Sequence, residues 1–200
     1  MTRKSVQDER RQQILEALHR CLLVKPFDQT SIKDIATEAG LNHGMLHYYF
    51  KSKDDILLNY IEYIIEMYRT IFRDWLETNR NTAVSKETLL LSCFDFMYHR
   101  LTLNKDISRI FIAIWERSVY NDIVMKKLKT AYHQWVEIVS QMIEEHIQDK
   151  EEARLLSTAL VAFLEGLSMF SVMFDEGDVP LTALLEKCKY LFVEKVLSSS

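Results

Sequence analysis

The chain is poor in the residues that turn a backbone. Its 200 residues include four glycines and two prolines, where average usage gives about fourteen and ten. Sheet-rich folds draw on both at their turns, so a many-stranded fold is excluded, as are glycine-rich nucleotide loops. Cysteine is scarce as well: Cys21, Cys93 and Cys188 are odd in number, far apart, and form no C-x-x-C pair. The opening stretch MTRKSVQDERRQQ lacks the apolar core of a signal peptide. Both features predict a cytoplasmic chain with free thiols. What is present is ordinary for a globular protein: 48% hydrophobic and 27% charged residues. The length allows one or two domains of roughly 100–200 residues each. The expectation is an all-α fold of about nine helices.

Leu155 to Phe174 is as long as the ~20 residues a bilayer demands. Glu165 stands at its middle, where a carboxylate costs on the order of 2.5–3.5 kcal/mol on insertion scales. The flanks (Glu151, Glu152 and Arg154; Asp175 and Glu176) carry no positive-inside bias. The segment therefore reads as a buried helix of a soluble protein, with no membrane partner.

Periodicity and caps divide the chain. Ile14, Ala17, Leu18, Cys21 and Leu22 recur at helical spacing in a first helix over about 6–24, which Pro26 ends. Thr30 and Ser31 offer N-cap oxygens to a second, and Gly40 suits the left-handed position that closes it. Asn42 caps a third through Tyr49, and Ser52 a long fourth over about 53–78. Further helices are expected over 86–103, 105–119, 121–148 and 150–174, with Pro180 in the first turn of the last.

Charge is uneven. Residues 1–53 hold nine Lys and Arg against six acids, and the remainder 16 against 23. A basic front before an acidic bulk suggests that the front meets a polyanion. The second and third helices, joined by the tight Ala39-Gly40-Leu41 turn, read as a helix-turn-helix at about 31–50. Leu46 and Phe50, four apart, face inward, leaving His43, Gly44, Met45, His47 and Tyr48 outward. Gly44 lets backbone approach a phosphate closely, while Tyr and His can donate to phosphates or stack on sugars and bases. Two histidines four apart could also ligate a metal, but no third ligand lies nearby in sequence, and neither metal nor cofactor is expected.

Thr30-Ser31-Ile32, Ile35-Ala36, Ala39-Gly40-Leu41, Gly44, Leu46, Tyr49-Phe50, Ser52-Lys53 and Ile56-Leu57 together resemble the signature of the tetracycline-repressor (TetR) family. The resemblance covers roughly residues 10–60. It implies a helical homodimer whose residues 1–52 bind operator DNA and whose residues 53–200 bind a small molecule and dimerise, ligand releasing the DNA. Carried over by position, Thr30, Ser31, Gly44, His47, Tyr48 and Lys53 meet the DNA backbone, with Lys33 and Asn42 beside them. His43, Met45 and Tyr48 reach base edges, and Arg3-Lys4 adds an arm contact. The chain departs from the pattern at Lys25-Pro26, where a glycine is common, at His47, usually tyrosine, and at Met45, usually small and polar. The last two bear on the operator sequence.

The C-terminal region is rich in aromatics. Phe72, Trp75, Phe94, Tyr98, Phe111, Trp115 and Trp135 suit a largely apolar pocket between helices, although each alone equally suits a core. Glu165, inside Leu160–Leu167, must be paired, hydrogen-bonded or protonated if buried; it could instead balance a cationic ligand lying over a tryptophan ring. Glu165-Gly166-Leu167 resembles the C-terminal region of choline-responsive members of the family. The last two helices are the expected dimer element, through Leu160, Phe163, Gly166 and Leu167 on one and Leu184, Cys188 and Leu191 on the other. A helical-bundle enzyme is the rival class, and no Walker loop, G-x-S-x-G or di-iron E-x-x-H pair supports it. A protein-binding helical scaffold is the other.

Overall fold

The computed structural model describes residues 3–80 and 85–198, without the side chains of residues 3–5, 86 and 101. Among the described residues there are nine α-helices and no strand. They are α1 (Arg3–Val24), α2 (Ile32–Glu38), α3 (His43–Tyr49), α4 (Lys53–Arg80), α5 (Lys86–Met97), α6 (Lys105–Val119), α7 (Asp122–Glu144), α8 (Lys150–Met173) and α9 (Leu181–Ser198). The caps set the starts. Ser31 and Asp34 form a reciprocal capping box on α2. Asn42, Ser85 and Asp149 accept from the first turns of α3, α5 and α8, and Ser52 does so for α4. Gly40 closes α2 at φ +63°, the left-handed region that only glycine enters without strain, while Leu41 N–H reaches back to the Ala36 carbonyl.

Three boundaries differ from expectation. The stretch 86–103 is not one α-helix: it ends at Met97 and continues as a π turn, Tyr98–Thr102, closed by Leu103 N–H on the Tyr98 carbonyl at 2.9 Å. Helix α7 stops at Glu144, and its end is tightened by His146 N–H bonding the Ile143 carbonyl. Pro180 precedes α9 and contributes its carbonyl to the first bond of that helix, from Leu184 N–H.

The chain divides into two compact units, Met1–Tyr68 with Ala113–Leu128, and Arg69–Ile112 with Lys129–Ser200. In the first, α1, α2 and α3 pack on one another around Ile14, Leu18, Ile35 and Leu46. Arg117 adds an ion pair to Asp54 at 2.8 Å, and Lys127 pairs with Glu62. In the second, Phe72, Phe94, Val139, Leu160, Leu164 and Leu185 belong to one apolar core.

That second core includes one charged side chain. Lys189 of α9 is buried, and its ammonium donates to Asp95 of α5 at 2.7 Å and pairs with Glu186 at 2.8 Å. Tyr98 O–H donates to the same Glu186 carboxylate at 3.1 Å. The two carboxylates hold the Lys189 pKa above the usual lysine range against the opposing cost of burial. The ammonium and the Tyr98 hydroxyl hold Glu186 below the usual carboxylate range. The lysine's contribution is complete below its unfolded pKa, about 10.4, and the glutamate's above about 4.3. Lys189→Met should therefore cost about 1–2 kcal/mol in denaturant unfolding at neutral pH. The deficit should shrink as acid protonates Glu186 and again as alkali deprotonates Lys189; a deficit constant from acid to alkali would contradict the pairing.

Candidate functional site

The outward face of α3 forms as the spacing predicts. Leu46 and Phe50 are buried, whereas Asn42, His43, Gly44, Met45, His47 and Tyr48 are exposed, Tyr48 at 68%. The His43 and His47 rings meet edge to face with centroids 5.2 Å apart, and Tyr48 meets Tyr49 at 5.0 Å. Asn42 Oδ1 accepts Gly44 N–H at 2.7 Å, so the cap that starts the helix also fixes its glycine. Ser31 and Lys33 are exposed on the neighbouring helix.

Two residues expected at this face are otherwise engaged. Thr30 is 1% exposed and its hydroxyl donates to the Pro26 carbonyl at 3.1 Å. Its position before the Ser31 cap turns it inward, so it closes the loop rather than facing out, which corrects the expectation. Lys53 donates to the Phe27 carbonyl at 3.0 Å and lies 4.3 Å over the Phe27 ring. An ammonium has three donors, so this bond positions Lys53 without exhausting it. The Arg3-Lys4 side chains lie outside the described residues.

Sequence reasoning missed the residue that fixes α3. Arg11 donates to the Tyr49 carbonyl at 2.5 Å and to Asn59 Oδ1 at 2.8 Å, and its guanidinium lies 4.2 Å from the Phe50 ring centroid. Only its place in the basic front was visible, because its partners are 38 and 48 residues away.

In the C-terminal unit four rings associate. Phe72 meets Trp135 at 5.2 Å and Phe96 at 5.6 Å, and Trp75 meets Phe96 at 4.9 Å. Phe96 was absent from the expected ligand set. Phe94 and Tyr98 turn towards α9 instead, Phe94 meeting Phe192 at 5.9 Å and Tyr98 bonding Glu186. Phe111 is half-buried in the same unit. Trp115 is 47% exposed and belongs to the first unit, next to the buried Ile114. Glu165 faces Tyr132 of α7, whose hydroxyl donates to it. Burial pushes the carboxyl pKa above the usual range, and the Tyr132 bond partly offsets this.

Helix α8 is two-sided. Leu160 and Leu167, expected at a dimer interface, are each 4% exposed in the subunit's own core, and half-buried Phe163 packs against it. The opposite face shows Leu155, Ala159, Ala162, Gly166, Phe170 and Met173, all exposed at three- and four-residue spacing. On α9, Leu184 and Leu191 are exposed and Cys188 is half-buried, whereas Leu181 and Leu185 turn inward. The apolar character of α8 all round hid which side was which. Its length and composition would suffice to cross a membrane, and one third of its most apolar stretch is buried.

Residues 14–60 match the family of bacterial regulatory proteins, tetR family. The chain is similar to the HTH-type transcriptional regulator YfiR of Bacillus subtilis, at 23% identity over 98% of this chain and 96% of that one. It is similar to the HTH-type transcriptional repressor KstR2 of Mycobacterium tuberculosis at 23% identity, over 93% of this chain and 91% of that one. Over residues 14–60 the chain is similar to the TetR family. Its fold resembles that of a transcriptional regulator from Saccharomonospora viridis in complex with choline, with a TM-score of 0.73 and 22% identity over 94% of this chain and 96% of that one. The α3 face lies inside the stretch that matches that family.

The Glu165 geometry has a measurable consequence for stability. A carboxyl whose folded pKa lies above its unfolded value, about 4.3, disfavours folding once the pH exceeds that value. Glu165→Gln keeps an acceptor for Tyr132 and removes the charge. The variant should match the wild type in Tm at pH values below the unfolded pKa, about 4.3, gain on it as the pH rises through the raised folded pKa, and then run parallel. A difference independent of pH would mean that Glu165 is solvated.

Proposed function

We propose that the chain is a repressor that holds a palindromic operator as a homodimer and releases it when a small, largely apolar or cationic effector binds its C-terminal region. In this reading residues 1–52 read DNA and residues 53–200 bind effector and dimerise. The observation that carries it is the α3 face, where two inward anchors leave a stripe of imidazoles, a phenol, a thioether and a bare backbone. A solvated helix has no need of that composition. Gly44, His47, Tyr48, Lys33 and Lys53 supply phosphate contacts, Ser31 being committed to the Asp34 capping box, and His43, Met45 and Tyr48 meet base edges, Met45 against a thymine methyl. A two-fold dimer presents two such helices, which favours a palindromic site. The repressor name of the Mycobacterium relative agrees with this reading.

The effector reading rests on the rings around Phe72 and Trp135 and on Glu165, which becomes a counter-charge if the effector is a cation. The choline held by the Saccharomonospora regulator agrees with the cationic option. The exposed stripe on α8, with Leu184 and Leu191 on α9, favours a second copy of the chain as its cover, because Ala159, Ala162 and Gly166 let two helices approach closely. Relatives that are regulators across nearly their whole length leave the enzyme class without support.

Electrophoretic shift against the DNA upstream of the chain's own gene tests the core of the proposal. Binding should fall steeply with salt, since phosphate contacts release counterions. Gly44→Ala is the sharpest variant. An added Cβ would lie 3.3 Å from Asn42 Oδ1 and otherwise point away from the fold, and alanine is the better helix former by about 1 kcal/mol. The cap must yield by a few tenths of an ångström to admit it, so the variant should keep the wild-type helical spectrum with a Tm change of either sign and lose at least tenfold in operator affinity. Undiminished binding would remove Gly44 from the interface.

Assembly is tested at Gly166. No atom lies within 4 Å of a Cβ built there, so Gly166→Leu leaves the single chain undisturbed. In the dimer it overpacks the contact, which typically costs about 1–3 kcal/mol. Sedimentation should show a shift towards monomer with an unchanged helical spectrum. A dimer of wild-type strength would place the interface elsewhere.

A further inference from the structure

A cavity in the second unit is lined by neither Glu165 nor Tyr132. It measures about 180 Å³ and is walled by Leu76, Leu89, Leu90, Ile138 and Met142 of α4, α5 and α7. Its polar residues are Arg80, Gln141, Glu145 and His146. Arg80 and Glu145 form an ion pair with each other. Both charges lie at the exposed mouth and pair with each other, so neither is left as an uncompensated partner that would draw an ion in. Gln141 lies one turn before Glu145. Its amide nitrogen donates to Glu137 at 3.2 Å, and the amide also carries a carbonyl oxygen with acceptor capacity. The volume slightly exceeds the ~150 Å³ of an apolar cavity that takes up benzene.

We propose that this cavity binds a small neutral amphiphile, an alcohol or amide with an apolar body of about six to eight carbons, its head donating to the Gln141 side-chain carbonyl. The walls favour the body by removing it from water, and the closed Arg80–Glu145 pair selects against charge. The inference does not depend on the operator reading, since occupancy is measured on the free protein.

The test is isothermal titration and thermal melting of the full chain with three probes of equal length: 1-heptanol, heptanoate and heptylammonium. Heptanol should bind at one site per chain and raise Tm, with at least tenfold preference over either ion. Gln141→Leu should lose most of the preference for heptanol over 1-chloroheptane, which has no donor. Met142→Trp should fill the cavity and abolish binding with the helical spectrum retained. If that variant fails to fold, Leu89→Ala decides, because an enlarged cavity should move the best alcohol one to three carbons longer. Equal binding of all three probes, tighter binding of an ion, or an unchanged length optimum in Leu89→Ala would each overturn the proposal.

Discussion

One guanidinium holds the exposed helix α3 in place. Helix α3 has seven residues, well under the ~12–15 at which an isolated helix becomes even marginal in water. It exists because its neighbours hold it. Arg11 satisfies the Tyr49 carbonyl at its C-terminal end, covers the Phe50 ring and anchors to Asn59 of α4. A cation at a helix C-terminus also complements the dipole. Gln13, on the same helix as Arg11, donates to the Ala39 carbonyl at 2.7 Å and closes α2 similarly. With both helix ends tied from behind by α1, the outer face of α3 carries no structural duty. His43, Met45, His47 and Tyr48 are consequently free of packing constraints, which the proposed DNA contacts require.

The same separation of duties recurs on α8. Its inner face, Leu160, Leu164 and Leu167, fills the C-terminal core, while the outer face stays apolar and exposed. A contiguous exposed apolar stripe is unusual for a soluble single chain. Helix α9 is held from within by Lys189, whose two carboxylate partners come from α5 and from α9 itself. That network fixes which side of α9 turns inward and so which residues remain outside beside the α8 stripe. A polar contact, rather than apolar packing alone, orients this pair of helices.

Much of this was legible in the sequence. Caps were: Ser31, Asn42, Ser52 and Ser85 stand where helices begin, because a side-chain oxygen satisfying the first N–H groups is a local event. So were Gly40 and the inward pair Leu46 and Phe50, which depend on helical period. What was not legible depends on partners distant along the chain. Thr30 reads as a cap but bonds backwards to Pro26. Arg11 reads as one basic residue among nine. Leu160 and Leu167 read like Ala162 and Gly166, because a helix apolar all round carries no phase. The π turn Tyr98–Thr102 has no composition signature; its first residue, Tyr98, is committed to Glu186, 88 residues later. The cavity beside Arg80 escaped for a related reason: aliphatic residues on three helices look like core until a gap is left between them.

Glu165 joins stability and function in one group. It interrupts the most apolar helix of the chain, and burial raises its pKa despite the Tyr132 bond. In the proposed regulator the cost of ionising it is borne by the effector-free form. A cation bound beside it would favour the charged carboxylate and so lower its pKa, and binding would then expel a proton whenever the group starts protonated. A neutral apolar effector would exclude water further and push the pKa the other way. The two effector classes therefore differ in the sign of the proton exchanged as well as in shape. Acidity would oppose the first and assist the second, which makes the effector's charge a property of the same carboxyl that limits the stability of α8.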